Sequence, residues 1–391
     1  MSDRLFAQQS AEDWLRTTEG RKISSTRSLR GAMVLALVTI VIGLIVLSFG
    51  EPYQQRLAFA AYVNIVVVVG LQIFMGNSNV ANLSHAGFMG IGAYMTAVLS
   101  TPLAMKAMQI PDAPFGLATT EYSVVPTVFI SLVVVAVVAL ITGMIVARLN
   151  GIAATIVTLA LLIIIHSVFE HWSELFRGNQ AFFGIPKEAN LEWGIVAGAL
   201  VIIIARLFKD SRAGVQLRAC ADNELAARAM GVNVWRMRLV AWVLGGTICG
   251  VGGILFSYYM GTINARSFHF HQVFLTLAML ILGGMRTVTG AVVGVIVLSV
   301  GMEMIRFVEG GPLLLGIQFP EMLGLSGLAL GVIIVGFMIW RPNGLMANLE
   351  LDEILKQHQK LGRWLQPRKL VLDGDVSPRP VQRDGETRQK N

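Results

Sequence analysis

The chain has 391 residues, 54% of them hydrophobic and only 14% charged, with a mean hydropathy of +0.65. Soluble domains carry about 25% charged residues, so a water-soluble globular fold is excluded. The net charge is +7. Its lysines and arginines sit in segments beside apolar runs, which makes them an orientation signal, and no nucleic-acid partner is expected.

In chain order, residues 1–30 form a polar, basic arm. Ten apolar runs follow, at 31–50, 57–75, 86–104, 124–147, 152–169, 191–208, 239–260, 272–285, 287–304 and 319–340. A helix of roughly 20 apolar residues crosses a bilayer core, so each run is a candidate span. The first is long for a signal-peptide core and has no small-residue cleavage site behind it, so it reads as an uncleaved span. The run at 272–285 is short and interrupted by Gly283 and Gly284; it reads as a span or as half of a broken one. With the N-terminus inside, 25 of the 31 Lys and Arg fall on inside segments and six outside. Both termini are therefore expected in the cytoplasm. Beyond Arg341-Pro342-Asn343-Gly344-Leu345 the chain turns polar. Leu351, Ile354, Leu355, Leu361 and Leu365 recur at helical spacing, which suits a helix lying on the membrane face or packed on a partner. Pro367 to Asn391 reads as disordered. The division is an arm over 1–30, a transmembrane domain over 31–345 and a tail over 346–391.

Residues 209–238 form a charged island between two long spans. Within it, Asp222 to Gly231 reads as one short helix: Asp222 and Glu224 at its start, alanines through the middle, Arg228 late and Gly231 closing it in the left-handed region. A compact helix on a cytoplasmic loop between spans points to a docked partner. Ala226, Ala227 and Ala229 permit close approach. Glu224 and Arg228, one turn apart, pair with each other or reach the partner.

The stretch from Gly76 to Gly87, between the second and third spans, is rich in amides and small residues. Irregular backbone at membrane depth is tolerated only where protein buries it or water lines it. One reading is a re-entrant turn on a translocation path, with Asn82 and His85 as polar groups; the other is a plain cytoplasmic turn capped by the histidine. Thr155 and Thr158 lie on the otherwise aliphatic fifth span as further path candidates, although threonine in a helix more often bonds its own backbone. His269 and His271 form an HxH pair with no third ligand in view, so no metal site is expected and interfacial anchoring by the neighbouring aromatics is the simpler account. The glycine pairs Gly194/Gly198, Gly246/Gly250, Gly290/Gly294 and Gly327/Gly331 suit close helix packing. Cys220 falls in the loop and Cys249 in a span, so no disulfide joins them.

No GxxxxGK[ST] occurs, nor any Gly-Lys dipeptide, so the chain builds no P-loop and any ATP that drives it is hydrolysed elsewhere. Neither a nucleophile–base order nor paired carboxylates inside a span appear, and an enzyme is not expected. Ion-coupled carriers hold charged residues mid-membrane, whereas Glu51, Glu303 and Glu321 fall at span ends.

Several stretches together resemble the larger, M-type membrane subunit of branched-chain amino acid ABC importers. Asn223 to Gly231, led by Ser211-Arg212-Ala213-Gly214, is similar to that family's cytoplasmic coupling segment. Leu282 to Ala291 and Arg341 to Leu345 are similar to its later signatures, Gly184-Ile185-Pro186 to the end of its external loop, and Asn150-Gly151 with Thr158-Leu159 to the opening of its fifth span. The resemblance implies an all-α polytopic fold of about ten transmembrane helices with a cytoplasmic coupling helix, in a bacterial or archaeal-type plasma membrane. It implies a homologous second permease subunit, two P-loop ATPase subunits docking on Asp222, Asn223, Glu224, Ala226, Ala227, Arg228 and Gly231, and an extracytoplasmic solute-binding protein. It implies no cofactor on this chain, ATP being used by the partner subunits. The cargo expected is a branched-chain amino acid or a similar small solute such as urea or a short amide. The alternative is an ATP-independent carrier or channel for a small polar or amphipathic solute.

Overall fold

The computed structural model describes residues 18–310, 313–314, 317–318, 324–341, 344–346 and 350. The first half of the basic arm and the amphipathic and disordered parts expected of the tail lie outside the described residues. Helix α1 (Thr18–Phe49) takes up the second half of the arm as a continuation of the first span. It is followed by α2 (Pro52–Ser78), α3 (His85–Ser100), α4 (Leu103–Gln109), α5 (Val124–Val146), α6 (Gly151–His171), α7 (Ser173–Phe176) and α8 (Leu191–Asp210). Then come α9 (Arg212–Asp222), α10 (Glu224–Ala229), α11 (Val234–Met260), α12 (Phe270–Gly283), α13 (Val288–Glu309) and α14 (Leu325–Trp340). The only strands among the described residues are two-residue pairs, such as β1 (Phe182–Phe183) antiparallel to β2 (Thr262–Ile263).

Eight helices are long and apolar enough to cross a membrane, and the pair α3–α4 makes a ninth if counted as one bent span. Among the described residues each of the ten expected runs falls on a helix over most of its length, and 319–323 of the tenth lie outside the described residues. The run at 86–104 is not straight: α4 turns 116° from α3. Pro102 sits between the two helices and supplies no N–H to continue α3, while Ser100 and Thr101 turn their hydroxyls back to the carbonyls of Thr96 and Ala97 at 2.7 Å each. The interruption expected at Gly283-Gly284 is the end of α12. The tenth run meets α14, an apolar helix of 16 residues, shorter than the eight membrane-length helices.

Helix α2 is the centre of the molecule. From Ile65 to Leu71 and on to Phe74 its apolar residues are buried on every side, which is why that run shows no amphipathic period. α11 packs on α2 and α3, and its glycines let the backbones meet: a Cβ on Gly253 would fall on the Met89 carbonyl. Trp242 of α11 lies edge-on to Phe74 and Phe88 and donates its indole N–H to Thr142 Oγ1 of α5 at 3.2 Å. α1 packs on α8, and Tyr62 of α2 donates to the Thr39 carbonyl of α1. α5 and α6 leave most of their apolar surface uncovered.

The turns sort to two ends. One end, here the basic end, gathers the α2–α3, α5–α6 and α12–α13 turns, the α9–α10 loop and residues 344–346 and 350, as the contacts below show. At the opposite end Lys106 is fully buried and its ammonium caps three carbonyls, those of Leu99, Leu117 and Thr120.

Candidate functional site

At the basic end the island between α8 and α11 holds two helices, and the short one expected over 222–231 is the second of them, α10. Asp222 is the last residue of α9, and Asn223, with φ −153° and ψ 103°, breaks the path before α10. The break is held by caps. Ser211 Oγ accepts from Gly214 N at 3.3 Å, Asn223 Oδ1 from Ala226 N at 3.0 Å and Asn233 Oδ1 from Arg236 N at 3.1 Å, each satisfying a helix N–H that has no intrahelical partner. An amide at position 223 therefore starts a new helix rather than extending the old one. Gly231 closes α10 as its type suggests: φ is +80°, Gly231 N donates to Arg228 O at 2.9 Å and Val232 N to Ala227 O at 3.1 Å. This is the Schellman arrangement.

The two faces of this module differ from the simple docking surface its composition suggests. Ala227 turns inward onto Cys220, Val232 and Val234. Glu224 also turns inward: its carboxylate lies 2.5 Å from Arg228 Nη2 and 3.1 Å from Arg238 Nη2, and accepts from Asn150 Nδ2 at 3.3 Å. Burial pushes its pKa up, but the Arg238 charge and the bonds from Arg228 and Asn150 outweigh it and hold the carboxyl below its ordinary range. Asp222, Asn223, Ala226, Arg228 and Gly231 are exposed. The largest apolar groups on the outer face are Leu225 and Met230, 82% and 83% exposed. The composition of the island drew attention to its alanines and charges; a leucine and a methionine within five residues of each other were the available signal for this face.

The module is tied to the bundle at three places. Arg238 of α11 donates to Leu149 O at 3.2 Å and to Asn150 Oδ1, fixing the α5–α6 turn. Arg218 of α9 donates to Asn77 Oδ1 of α2 at 3.1 Å and to Lys209 O at 2.6 Å. Arg206 and Lys209, at the end of α8, meet the buried carboxylate of Glu350, which also accepts from the backbone N–H groups of Val288 and Thr289 at the start of α13. Leu345 N and Met346 N donate to Leu282 O and Gly283 O at 2.8 and 3.0 Å. The two late signature stretches, 282–291 and 341–345, are thus one packed unit. None of Arg218, Asn77, Arg206, Lys209 and Glu350 stands out in the sequence, because a partner 61 to 144 positions away leaves no local pattern.

Three of the four residues offered for a translocation path come together at the α2–α3 turn. Asn82 Oδ1 accepts from Ser84 N at 3.0 Å and from Ser84 Oγ at 2.9 Å. The ring nitrogens of His85 lie 3.0 Å from Asn82 O and 2.6 Å from Thr276 Oγ1. Thr158 Oγ1 accepts from Leu83 N at 3.2 Å and donates to Thr155 O at 2.8 Å. Asn82, His85 and Thr158 are buried, whereas the Thr155 side chain is half-buried and reaches only its own helix, at Gly151 O. The turn is a closed network that pins α3 to α6 and α12. His269 of the HxH pair lies against His166, ring centroids 4.0 Å apart and the rings tilted by 36°. Among the described residues no three His, Cys, Asp or Glu side chains converge on a point that would hold a metal ion.

Comparison with known proteins agrees with this architecture. The family model described as "Branched-chain amino acid transport system / permease component" matches residues 53–339. The chain is 26% identical over 345 residues to the high-affinity branched-chain amino acid transport system permease protein LivM of Escherichia coli K12, covering 78% of this chain and 74% of that one. It is 25% identical over 361 residues to LivM of Salmonella typhimurium, covering 82% and 78%. It is 27% identical over 270 residues to the probable permease protein LivH of Methanocaldococcus jannaschii, covering 63% and 78%. No solved structure matches the chain significantly. A match running from the first turn of α2 almost to the end of α14, on a bundle of membrane-length helices, places the chain in the family of branched-chain amino acid transport system permease components.

Proposed function

We propose that this chain is one membrane subunit of an ATP-driven ABC importer. It pairs with a homologous second permease subunit, is driven by two P-loop ATPase subunits and receives cargo from an extracytoplasmic solute-binding protein. The cargo is a branched-chain amino acid or a similar small solute, such as urea or a short amide. Similarity to both LivM and LivH proteins supports the pairing. The concentration of Lys and Arg at the basic end supports a cytoplasmic placement of that end and of both termini.

The observation that carries the reading is the outward display of Leu225 and Met230 on a helix whose other face is bonded to the bundle. Large apolar side chains held this far into solvent on a capped module mark a surface that a partner covers. ATPase closure would then move α10 as a lever. Glu224 and Arg238 would pass its displacement to the α5–α6 turn, and Arg218 to the end of α2, where Asn77 adjoins the α2–α3 turn. Asp222, Asn223, Ala226, Arg228 and Gly231 would form the polar and small-residue rim of the contact, while Ala227 and Glu224 set the shape of the helix from behind.

Purification of the tagged chain in mild detergent, with mass spectrometry of what accompanies it, tests the assembly. A second multi-span permease and P-loop ATPases should come with it. A chain that purifies alone and moves solute in liposomes without ATP would overturn the assignment.

A further inference from the structure

Where α5 leaves the bundle and α11 begins, a cleft of about 400 Å³ opens at the basic end, lined by Ala147, Arg148, Arg228, Asn233, Trp235 and Arg238 among others. Three arginines, Arg148, Arg228 and Arg238, line this one space, and Glu224, bonded to Arg228 and Arg238, is the one carboxylate bonded to them among the described residues. The local balance is therefore positive. The Arg148 side chain is exposed, with no hydrogen bond or ion pair among the described residues. Arg238 is 5% exposed, and its Nε is buried with no hydrogen-bond partner even though its other nitrogens are engaged. A buried guanidinium N–H without an acceptor is costly, and Arg238 is one of the residues that line this cleft.

The surface above the cleft is apolar. Ile141, Met144 and Ile145 of α5 are 56%, 40% and 61% exposed, and they precede Arg148 by seven, four and three residues. Helical geometry places them in one stripe that runs down to the arginine. Trp235 flanks the same spot, with its indole nitrogen 3.5 Å from Met144 O; tryptophan favours the boundary between acyl chains and headgroups. A groove that is apolar along a membrane span and turns cationic at its mouth fits a molecule with the same division.

We propose that this cleft binds the phosphate of an anionic phospholipid, with Arg148 and Arg238 on the phosphate and the acyl chains along Ile141, Met144 and Ile145. The stripe is what distinguishes a lipid from a free phosphate ion or from an acidic side chain of a protein partner, neither of which would use it.

The test is native mass spectrometry of the full chain, with whatever subunits accompany it, after equilibration in nanodiscs of equimolar phosphatidylglycerol and phosphatidylcholine. The wild type should retain phosphatidylglycerol preferentially. Arg148→Gln should lower that retention about fivefold, the effect of one arginine at an anionic surface, while Arg212→Gln, a charge removed elsewhere on the same end, should leave it unchanged. Inorganic phosphate should not displace the lipid. Equal retention by wild type and Arg148→Gln, equal retention of the two lipids, or the same loss in Arg212→Gln would overturn the proposal. Displacement by inorganic phosphate would make it an ion site. Retention only after associated subunits are stripped away would give the cleft to a protein partner.

Discussion

The Arg206 guanidinium lies 2.6 Å from the carboxylate of Glu350, 144 positions later in the chain, and both side chains are more than nine-tenths buried. Around this pair the end of α8, the start of α13 and the chain beyond α14 are fastened together, with Lys209 and Thr289 completing the shell of the carboxylate. Burial alone would raise the pKa of Glu350, but the Lys209 and Arg206 charges and the hydrogen bonds to the carboxylate outweigh it and leave it lowered.

Glu350→Gln removes the buried charge between Arg206 and Lys209, while Arg206 keeps its longer pair with Asp210 at 3.5 Å. Loss of one partner from a buried pair costs on the order of 3 kcal/mol, so the thermal midpoint in detergent should fall clearly. The pH dependence has a definite sign. A carboxyl whose pKa is lower in the folded state stabilises fully above its unfolded value of about 4.3 and loses that contribution as pH falls through the folded value. The gap between wild type and Glu350→Gln should hold steady from neutral pH down to about 5 and shrink below about 4.3. A gap constant through that acid range would remove the carboxylate from the account.

The outer and inner faces of α10 should separate in mutagenesis. Leu225→Glu and Met230→Glu alter side chains more than four-fifths exposed, so insertion, expression and thermal midpoint should match wild type while ATPase co-purification and uptake fall at least tenfold, equivalent to about 1.4 kcal/mol. Ala227→Arg forces a cation into the cluster with Cys220 and Val234 and should disorder the module itself, seen as faster amide exchange over 220–234. Normal uptake in both surface variants would show that nothing docks there.

Much of the architecture was legible because membrane spans are long, local and apolar. The described parts of the ten runs fall largely on helices, and Gly231 closes α10 in the left-handed region its residue type favours. The short helix expected over 222–231 is α10, but it starts two residues later: Asp222 closes α9, because Asn223 acts as a cap, and a cap and a mid-helix residue look alike in composition. The inward turn of Ala227 and of the half-buried Glu224 depends on α11 and the α5–α6 turn packing behind them, through Val234, Arg238 and Asn150. No periodicity within 222–231 carries that information.

Gly253 tests the central packing. A methyl there would occupy the position of the Met89 carbonyl, a backbone atom in a buried helix that has no rotamer to change. Overpacking of this kind costs about 3 kcal/mol. Gly253→Ala should lower the thermal midpoint and yield, whereas Gly301→Ala, on α13 with open space around it, should be neutral. Similar midpoints for the two variants would mean that α3 and α11 do not approach this closely.

The last prediction concerns the turn between α2 and α3. Every polar group offered there for the translocation path has an internal partner: Asn82 with Ser84, His85 with Thr276, and Thr158 with Leu83. Cutting one link from a buried network costs about 1–3 kcal/mol through the group left unsatisfied. Thr276→Val leaves a His85 nitrogen without its acceptor or donor in a site that excludes water, and Thr158→Val does the same to the Leu83 N–H. Both variants should lower the thermal midpoint and scale down uptake of all cargos alike, without changing the ratio between leucine and a short amide. A path residue would behave in the opposite way, because removing a group that touches cargo changes selectivity more than stability. Competition uptake with the two solutes, read beside thermal midpoints of the same preparations, separates the cases; a shifted ratio at unchanged midpoint would put this turn on the path.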